Sequence, residues 1–142
     1  TDRIEGQEEA PQMTYTDAVQ VIRDAITAAT SIPTARVLQP GFTDGPLPLA
    51  HVSLVQTQTG DYDRDDTISI SIYAKTPASP TEVGASALAD QIEGALAVRP
   101  VVGASGWVDA AEVDSLLGVQ PYFEAVEVVH MTATVTHRPI SE

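Results

Sequence analysis

Between Asp66 and Lys75 apolar and polar positions alternate without a break. Ile68, Ile70, Ile72 and Ala74 share one parity; Thr67, Ser69, Ser71 and Tyr73 share the other. A period of two in β-branched and aromatic residues predicts a strand with one face in a core and one face wetter. Leu49 to Gln56 repeats the pattern, with Ala50, Val52 and Leu54 against His51, Ser53 and Val55. Tyr122 to Arg138 reads as one long final strand: Val129, Met131, Ala133 and Val135 lie on one face, and His130, Thr132, Thr134 and Thr136 on the other. Val126 and Val128 fall on the hydroxyl-rich parity, which predicts a bulge or a covered end. Shorter strands are expected at Ala35 to Gln39 and at Trp107 to Val113.

Two segments switch to helical spacing. From Thr14 to Thr30, residues Ala18, Val21, Ile22, Ala25 and Ile26 make an apolar stripe. Thr14 or Thr16 can cap this helix, and Asp17 suits its positive end. From about Pro80 to Val98, residues Val83, Ala87, Leu88, Ile92, Ala95 and Leu96 form a second stripe, with Thr81 as its cap and Arg99-Pro100 as its stop. Pro40 to Pro48 reads as a turn-rich connection, and Thr59 to Asp66 as a long, charged hairpin tip. Strands mostly follow one another in sequence. The expected fold is therefore α+β: an antiparallel or mixed sheet of about five strands with two helices packed on one face. Residues 14–139 form the single domain, between an N-terminal arm at 1–13 and a short C-terminal end at 140–142. The low hydrophobicity of residues 1–12 predicts a flexible arm. Thr1 fits removal of an initiator Met; alternatively Met13 is the natural start and the preceding residues are an appended remnant.

Composition narrows the chemistry. Hydrophobic residues make up 43% of the 142 but aromatics only 5%, so the core must be aliphatic. The net charge is −13, and the seven basic residues are scattered, which disfavours nucleic-acid binding. With no cysteine there is no disulfide, thiolate nucleophile or Cys-based zinc site. No run of about 18 apolar residues suggests a membrane span. Asp61, Asp63 and Asp65 copy the first half of a calcium loop, but Asp66 stands where the turn needs Gly, and Ile72 where a bidentate Glu belongs. His51, His130 and His137 do not converge as zinc ligands, because His130 and His137 point to opposite faces of their strand. Gly103 to Gly106 is not a nucleophile elbow, and there is no dinucleotide or phosphate loop. Trp107 is able to stack a ligand, although a lone Trp at a strand start more often serves packing. No catalytic, cofactor or metal residue is assigned.

Taken in order, four pieces carry a family resemblance: the helix before I-P-T-A-R-V (32–37); L-P-L-A-H-V-S-L-V (47–55) with the Gly/Asp tip and I-S-I-S-I-Y-A-K (68–75); the helix A-S-A-L-A-D-Q-I-E-G-A-L (85–96); and the closing E-A-V-E-V-V-H-M-T-A-T-V-T-H-R-P (124–139). Together they resemble the tail terminator family of long-tailed bacteriophages, over most of residues 14–139, in element order and hydrophobic texture rather than in one motif. The resemblance implies an α/β fold and a homohexameric ring with no enzymatic site. Such a ring caps the tail tube, stops its elongation and offers a surface to the head or neck. The implied partners are further copies of the chain, a tail tube protein and a neck or head-completion protein. DNA passes through without being specifically bound. The implied location is the head-proximal end of the virion tail, after assembly in the host cytoplasm.

On this reading Asp61, Asp63, Arg64, Asp65 and Asp66 serve subunit contacts or lumen charge and not folding, so replacing the four Asp by Ser should leave the melting temperature nearly unchanged. Arg64, Arg23 and Arg138 are the expected cross-subunit partners for surplus carboxylates. The alternatives are another neck, completion or tube protein of the same particle, and a small α+β enzyme or ligand-binding domain.

Overall fold

The computed structural model describes residues 15–139, and the N-terminal arm and residues 140–142 lie outside them. In chain order the elements are α1 (Ala18–Thr30), β1 (Thr34–Ala35), a 3-10 turn (Phe42–Asp44), β2 (Leu49–Thr59), β3 (Arg64–Lys75), α2 (Ala85–Leu96), β4 (Val101–Gly103), β5 (Gly106–Val108), β6 (Ala110–Leu116), β7 (Gln120–Phe123) and β8 (Val126–His137). Six strands form one mixed sheet in the order β1-β2-β3-β8-β6, with β7 also on β8; β4 and β5 make a separate hairpin. Only β1 and β2 run parallel. This is the α+β plan expected from the pattern, with one strand more than five.

The isoleucine ladder of β3 is the centre. Ile68, Ile70 and Ile72 are fully buried and sit opposite Ala133, Met131 and Val129 of β8. Both helices cover this face. Val21, Ile22 and Ile26 of α1 and Leu88, Ile92 and Leu96 of α2 join the same core. Burying each such aliphatic side chain stabilises the fold by about 1.5–3 kcal/mol. The other face of β3 and β8 shows Ser and Thr rows instead.

That hydroxyl face is covered at one end. Val126 and Val128, the two valines on the wrong parity, pack with Tyr73 against Leu38, Phe42 and Leu47 from the connection before β2. Tyr73 meets Phe42 and Tyr122 edge to face, with centroids 4.9 Å apart in each pair, and Phe42 and Tyr122 are tilted against each other at 5.8 Å. Burial, reinforced by the neighbouring Tyr122, pushes the Tyr73 hydroxyl above its ordinary range. The covered end accounts for these valines; β8 keeps a continuous register on β3.

Several boundaries differ from the expectation, each for a local reason. Helix α1 starts at Ala18 because Asp17, not Thr16, is the cap: its carboxylate accepts from the Gln20 amide at 3.3 Å. Helix α2 starts at Ala85, not near Pro80. Glu127 of β8 reaches across and accepts from the Ala85 amide at 2.8 Å, which anchors the helix start from the sheet. Gly84 is needed there, since a Cβ would come within 2.6 Å of that carboxylate. Val83 therefore falls before the helix and is exposed, while Ala85 and Ala89 take the buried positions. The expected strand from Trp107 is split: Gly103 and Gly106 turn β4 back on β5, and β6 begins only at Ala110. The final strand is a hairpin, β7 to β8, reversed at Glu124 with a left-handed φ of 42°. Strand β1 is two residues long, against the five expected.

Candidate functional site

The charged run Asp61–Asp66 divides between two environments. Strand β2 continues to Thr59 and β3 starts at Arg64, so the hairpin tip is only Gly60 to Asp63. Its turn is closed by the Gly60 amide donating to the Asp63 carbonyl at 2.7 Å. Asp61, Tyr62 and Asp63 are exposed. Arg64, Asp65 and Asp66 already belong to the ladder, opposite Thr59, Gln58 and Thr57 of β2 and His137, Thr136 and Val135 of β8.

Parity then decides what each carboxylate meets. Asp65 lies on the hydroxyl face and accepts from Thr136 Oγ1 at 2.8 Å. Asp66 shares the core-facing parity of Ile68 and is 6% exposed. Its Oδ1 accepts from Thr57 Oγ1 at 2.8 Å, and its Oδ2 lies 2.9 Å from Nε2 of His137, which is 2% exposed. Thr57, Asp66 and His137 thus tie β2, β3 and β8 together at the tip end of the core. The assignment of Asp66 to a solvated tip without a folding role is corrected by this burial, and with it the expectation that all four Asp tolerate Ser. His137 was not singled out for any role with Asp66. Its even spacing from Val135, Ala133 and Met131 marks it as core-facing, and that was the available signal.

Arg64 lies on the same side. Its guanidinium carbon is 3.5 Å from the Tyr15 ring centroid, and that ring stands edge-on to His137 at 5.7 Å. Arg64 and Asp66 border a cavity of about 350 Å³ with Tyr15, Asp17, Arg36 and Thr57. His137 borders a second cavity of about 530 Å³, walled also by Trp107, Arg138, Ser105 and Gly106. Arg138 forms a forked pair with Asp109, with donor distances of 3.1 and 3.3 Å. Hydrogen bonding and charge from Asp109, with a weaker push from Asp63, hold its pKa above the ordinary value. Asp63, Asp109 and Arg138 border one shallow surface hollow. Of the expected contact residues, then, Asp63 and Arg138 meet at one hollow and Arg64 and Asp66 at another cavity. Arg23 belongs elsewhere: it donates to Thr34 Oγ1 at 2.9 Å, Thr34 O at 3.2 Å and Gln20 Oε1 at 3.1 Å, and so pins β1 to α1.

A neighbouring carboxylate on α1 holds the β4–β5 hairpin. Asp24 Oδ2 accepts from the Ser105 amide at 3.2 Å and from Ser105 Oγ at 2.8 Å, while Oδ1 accepts from Gln20 Nε2 at 2.9 Å. The Gln20 bond first, then the Ser105 bonds, hold the Asp24 carboxyl below the usual carboxylate range.

The histidines are spent separately. His51 Nε2 lies 2.9 Å from the Arg36 carbonyl and His130 Nδ1 lies 2.8 Å from Ser71 Oγ. Among the described residues no three His, Asp or Glu side chains are placed to share a metal ion. Among the described residues no helix is long and apolar enough to cross a membrane.

Two sheet edges are open among the described residues. Beyond His51, β2 has no outer strand partner among the described residues, and neither does β6. Leu54 and Val55 are exposed on the first edge; Leu116, Leu117 and Val119 are exposed on or just after the second. The β7 end of that second edge adds Tyr122 and Phe123, both about half exposed. Unpaired edge amides and carbonyls beside apolar side chains form a template for another strand. No protein-family model matches the chain, and no curated protein matches it in sequence.

Proposed function

We propose that this chain is a structural virion subunit of the tail-terminator kind, a homohexameric ring that caps a tail tube, stops its growth and presents a surface to the neck. The observation that carries the reading is the pair of open edges on one sheet. From β2 through β3 and β8 to β6 each step is antiparallel, so β6 runs opposite to β2. When a copy is rotated about an axis along the strands, its β2 edge meets the β6 edge of its neighbour in antiparallel pairing. Such a contact is head-to-tail, and head-to-tail contacts close into rings when the rotation divides the circle. The six-fold number and the tube-end position rest on the family resemblance alone.

Charge sets the conditions. Six chains of −13 carry roughly −78, which opposes closure in free solution. Salt screens that repulsion over a Debye length of about 8–10 Å. The chain should therefore be largely monomeric at low salt and form rings at higher salt or on tube ends. Mass measurement across a salt series, with and without assembled tubes, tests this. A stable dimer under every condition, with no binding to tube ends, would overturn both the ring and the capping role.

A small-molecule reading has one observation in its favour: the buried Asp66–His137 pair stands beside the cavity walled by Trp107. A low-molecular-weight ligand that quenches Trp107 fluorescence saturably would move the assignment there.

A further inference from the structure

The chain's single tryptophan, Trp107, lines the cavity of about 530 Å³ together with Thr16, Ser105, Gly106, His137 and Arg138. That volume is within the range of small-molecule pockets. Ser105, His137 and Arg138 are each held by a carboxylate that does not itself line the cavity. Asp24 accepts from the amide and hydroxyl of Ser105, Asp66 pairs with His137, and Asp109 takes the Arg138 fork. A wall fixed in this way from a second layer is preorganised, so little side-chain ordering is left for a ligand to induce. Trp107 is half exposed and supplies an aromatic wall.

His137 brings an uncommitted polar atom to this wall. The residue is 2% exposed, and its Nδ1 is buried with no hydrogen-bond partner among the described residues. A carboxylate only accepts, so Nε2, 2.9 Å from Asp66 Oδ2, is the nitrogen that carries the proton. In the neutral ring Nδ1 is then a bare acceptor, and a buried acceptor left unpaired destabilises the fold. A donor brought to it relieves that cost. Asp109 compensates the charge of Arg138, and the net charge of −13 repels anions, so the cavity favours a neutral molecule. We propose, on the small-molecule reading of this cavity and independently of any ring, that it binds a small, flat, uncharged aromatic molecule whose N–H or O–H donates to His137 Nδ1 while its ring packs on Trp107.

The test uses the full chain and two probes, phenol and anisole, which share a ring but differ in having a donor. Binding is followed by nitrogen-edited NMR at the Trp107 indole N–H and at His137 Nδ1. Because its pair with Asp66 makes His137 variants prone to unfold, that ring is read in the unaltered protein. Phenol should shift the Trp107 signal saturably and move the Nδ1 signal with it. Anisole should bind about tenfold more weakly, the scale of one hydrogen bond, and leave Nδ1 in place. Trp107→Leu should weaken phenol binding several-fold, read at His137 Nδ1. A saturated Trp107 shift with Nδ1 unmoved, or anisole binding as well as phenol, overturns the donor assignment and leaves the small-molecule reading standing. Phenol binding that Trp107→Leu does not weaken overturns the site. No saturable shift with either probe overturns the proposal and the small-molecule reading together.

Discussion

Asp63 and Asp66 are three residues apart in one acidic run, yet they have opposite surroundings. Asp63 sits in a four-residue turn, its side chain in solvent beside Arg138. Asp66 is inside the ladder between β2 and β8, with both oxygens bonded. The amino acid is the same and the local charge density is the same. What differs is which side of Arg64 the residue falls on, because Arg64 begins the strand and fixes the parity of everything after it. A carboxylate on the core-facing parity must be hydrogen-bonded or it destabilises the fold. One on a turn has no such obligation, and its charge is free for a partner.

The largest expected effect breaks the comparison at its buried side. Asp66→Ala leaves His137 and Thr57 facing a void without partners. Removing one member of a buried, hydrogen-bonded pair costs about 3 kcal/mol. For a domain of this size that corresponds to a fall in melting temperature of about 10 °C. Asp66→Asn keeps the acceptor for Thr57 and should lose less. Thermal unfolding followed by circular dichroism measures both. An Asp66→Ala protein that melts with the unaltered chain would show that this end of the core is open to water.

Much of this was legible in the chain. The strict alternation of Ile68, Ile70 and Ile72 placed the central strand and its core face, and the helical stripe at Val21, Ile22 and Ile26 placed α1. The same parity, extended two residues back to Asp66 and carried from Val135 to His137, pointed at the buried pair. The run of acids overrode that signal, since charge density reads as solvent exposure. Other features had no local trace. Helix α2 starts where Glu127, forty-two residues away, reaches its first amide, so propensity around Pro80 and Thr81 was no guide. The β7–β8 hairpin turns at Glu124, a residue type that does not advertise a left-handed backbone. The open edges of β2 and β6 are properties of strand order, which pattern alone leaves undecided between several sheets.

Asp24 lies between the two extremes and sharpens the contrast: it is near the surface like Asp63 but hydrogen-bonded like Asp66. Its pKa is lowered in the folded chain, so the unfolded state takes up its proton first as pH falls. Stability from Asp24 is then fully present above the ordinary carboxylate value of about 3.9, and it is lost as pH drops through the depressed folded value. Asp24→Asn should accordingly be less stable than the unaltered chain at neutral pH, and the gap should narrow below about pH 4. Chemical unfolding at a series of pH values reads the gap directly. A difference that stays constant into strong acid would mean that the charge of Asp24 contributes nothing to holding Ser105 and the β4–β5 hairpin.

The smallest effect on folding is expected at the tip. Asp61 and Asp63 are exposed, and the Gly60 amide closes the turn on the Asp63 carbonyl, which any residue retains. Asp61→Ser/Asp63→Ser should therefore change stability by about 0.5 kcal/mol or less. Asp63 still contributes negative potential at Arg138, so the variant exposes that guanidinium and removes two charges per chain. If the tip acts in assembly, the salt concentration at which the unaltered chain associates should shift downward in the variant, because less repulsion needs screening. Mass measurement over the same salt series reports the shift. A variant with an unchanged melting temperature and an unchanged salt profile would leave the tip acids with no part in either folding or association. The buried half of the run would then account for its whole contribution.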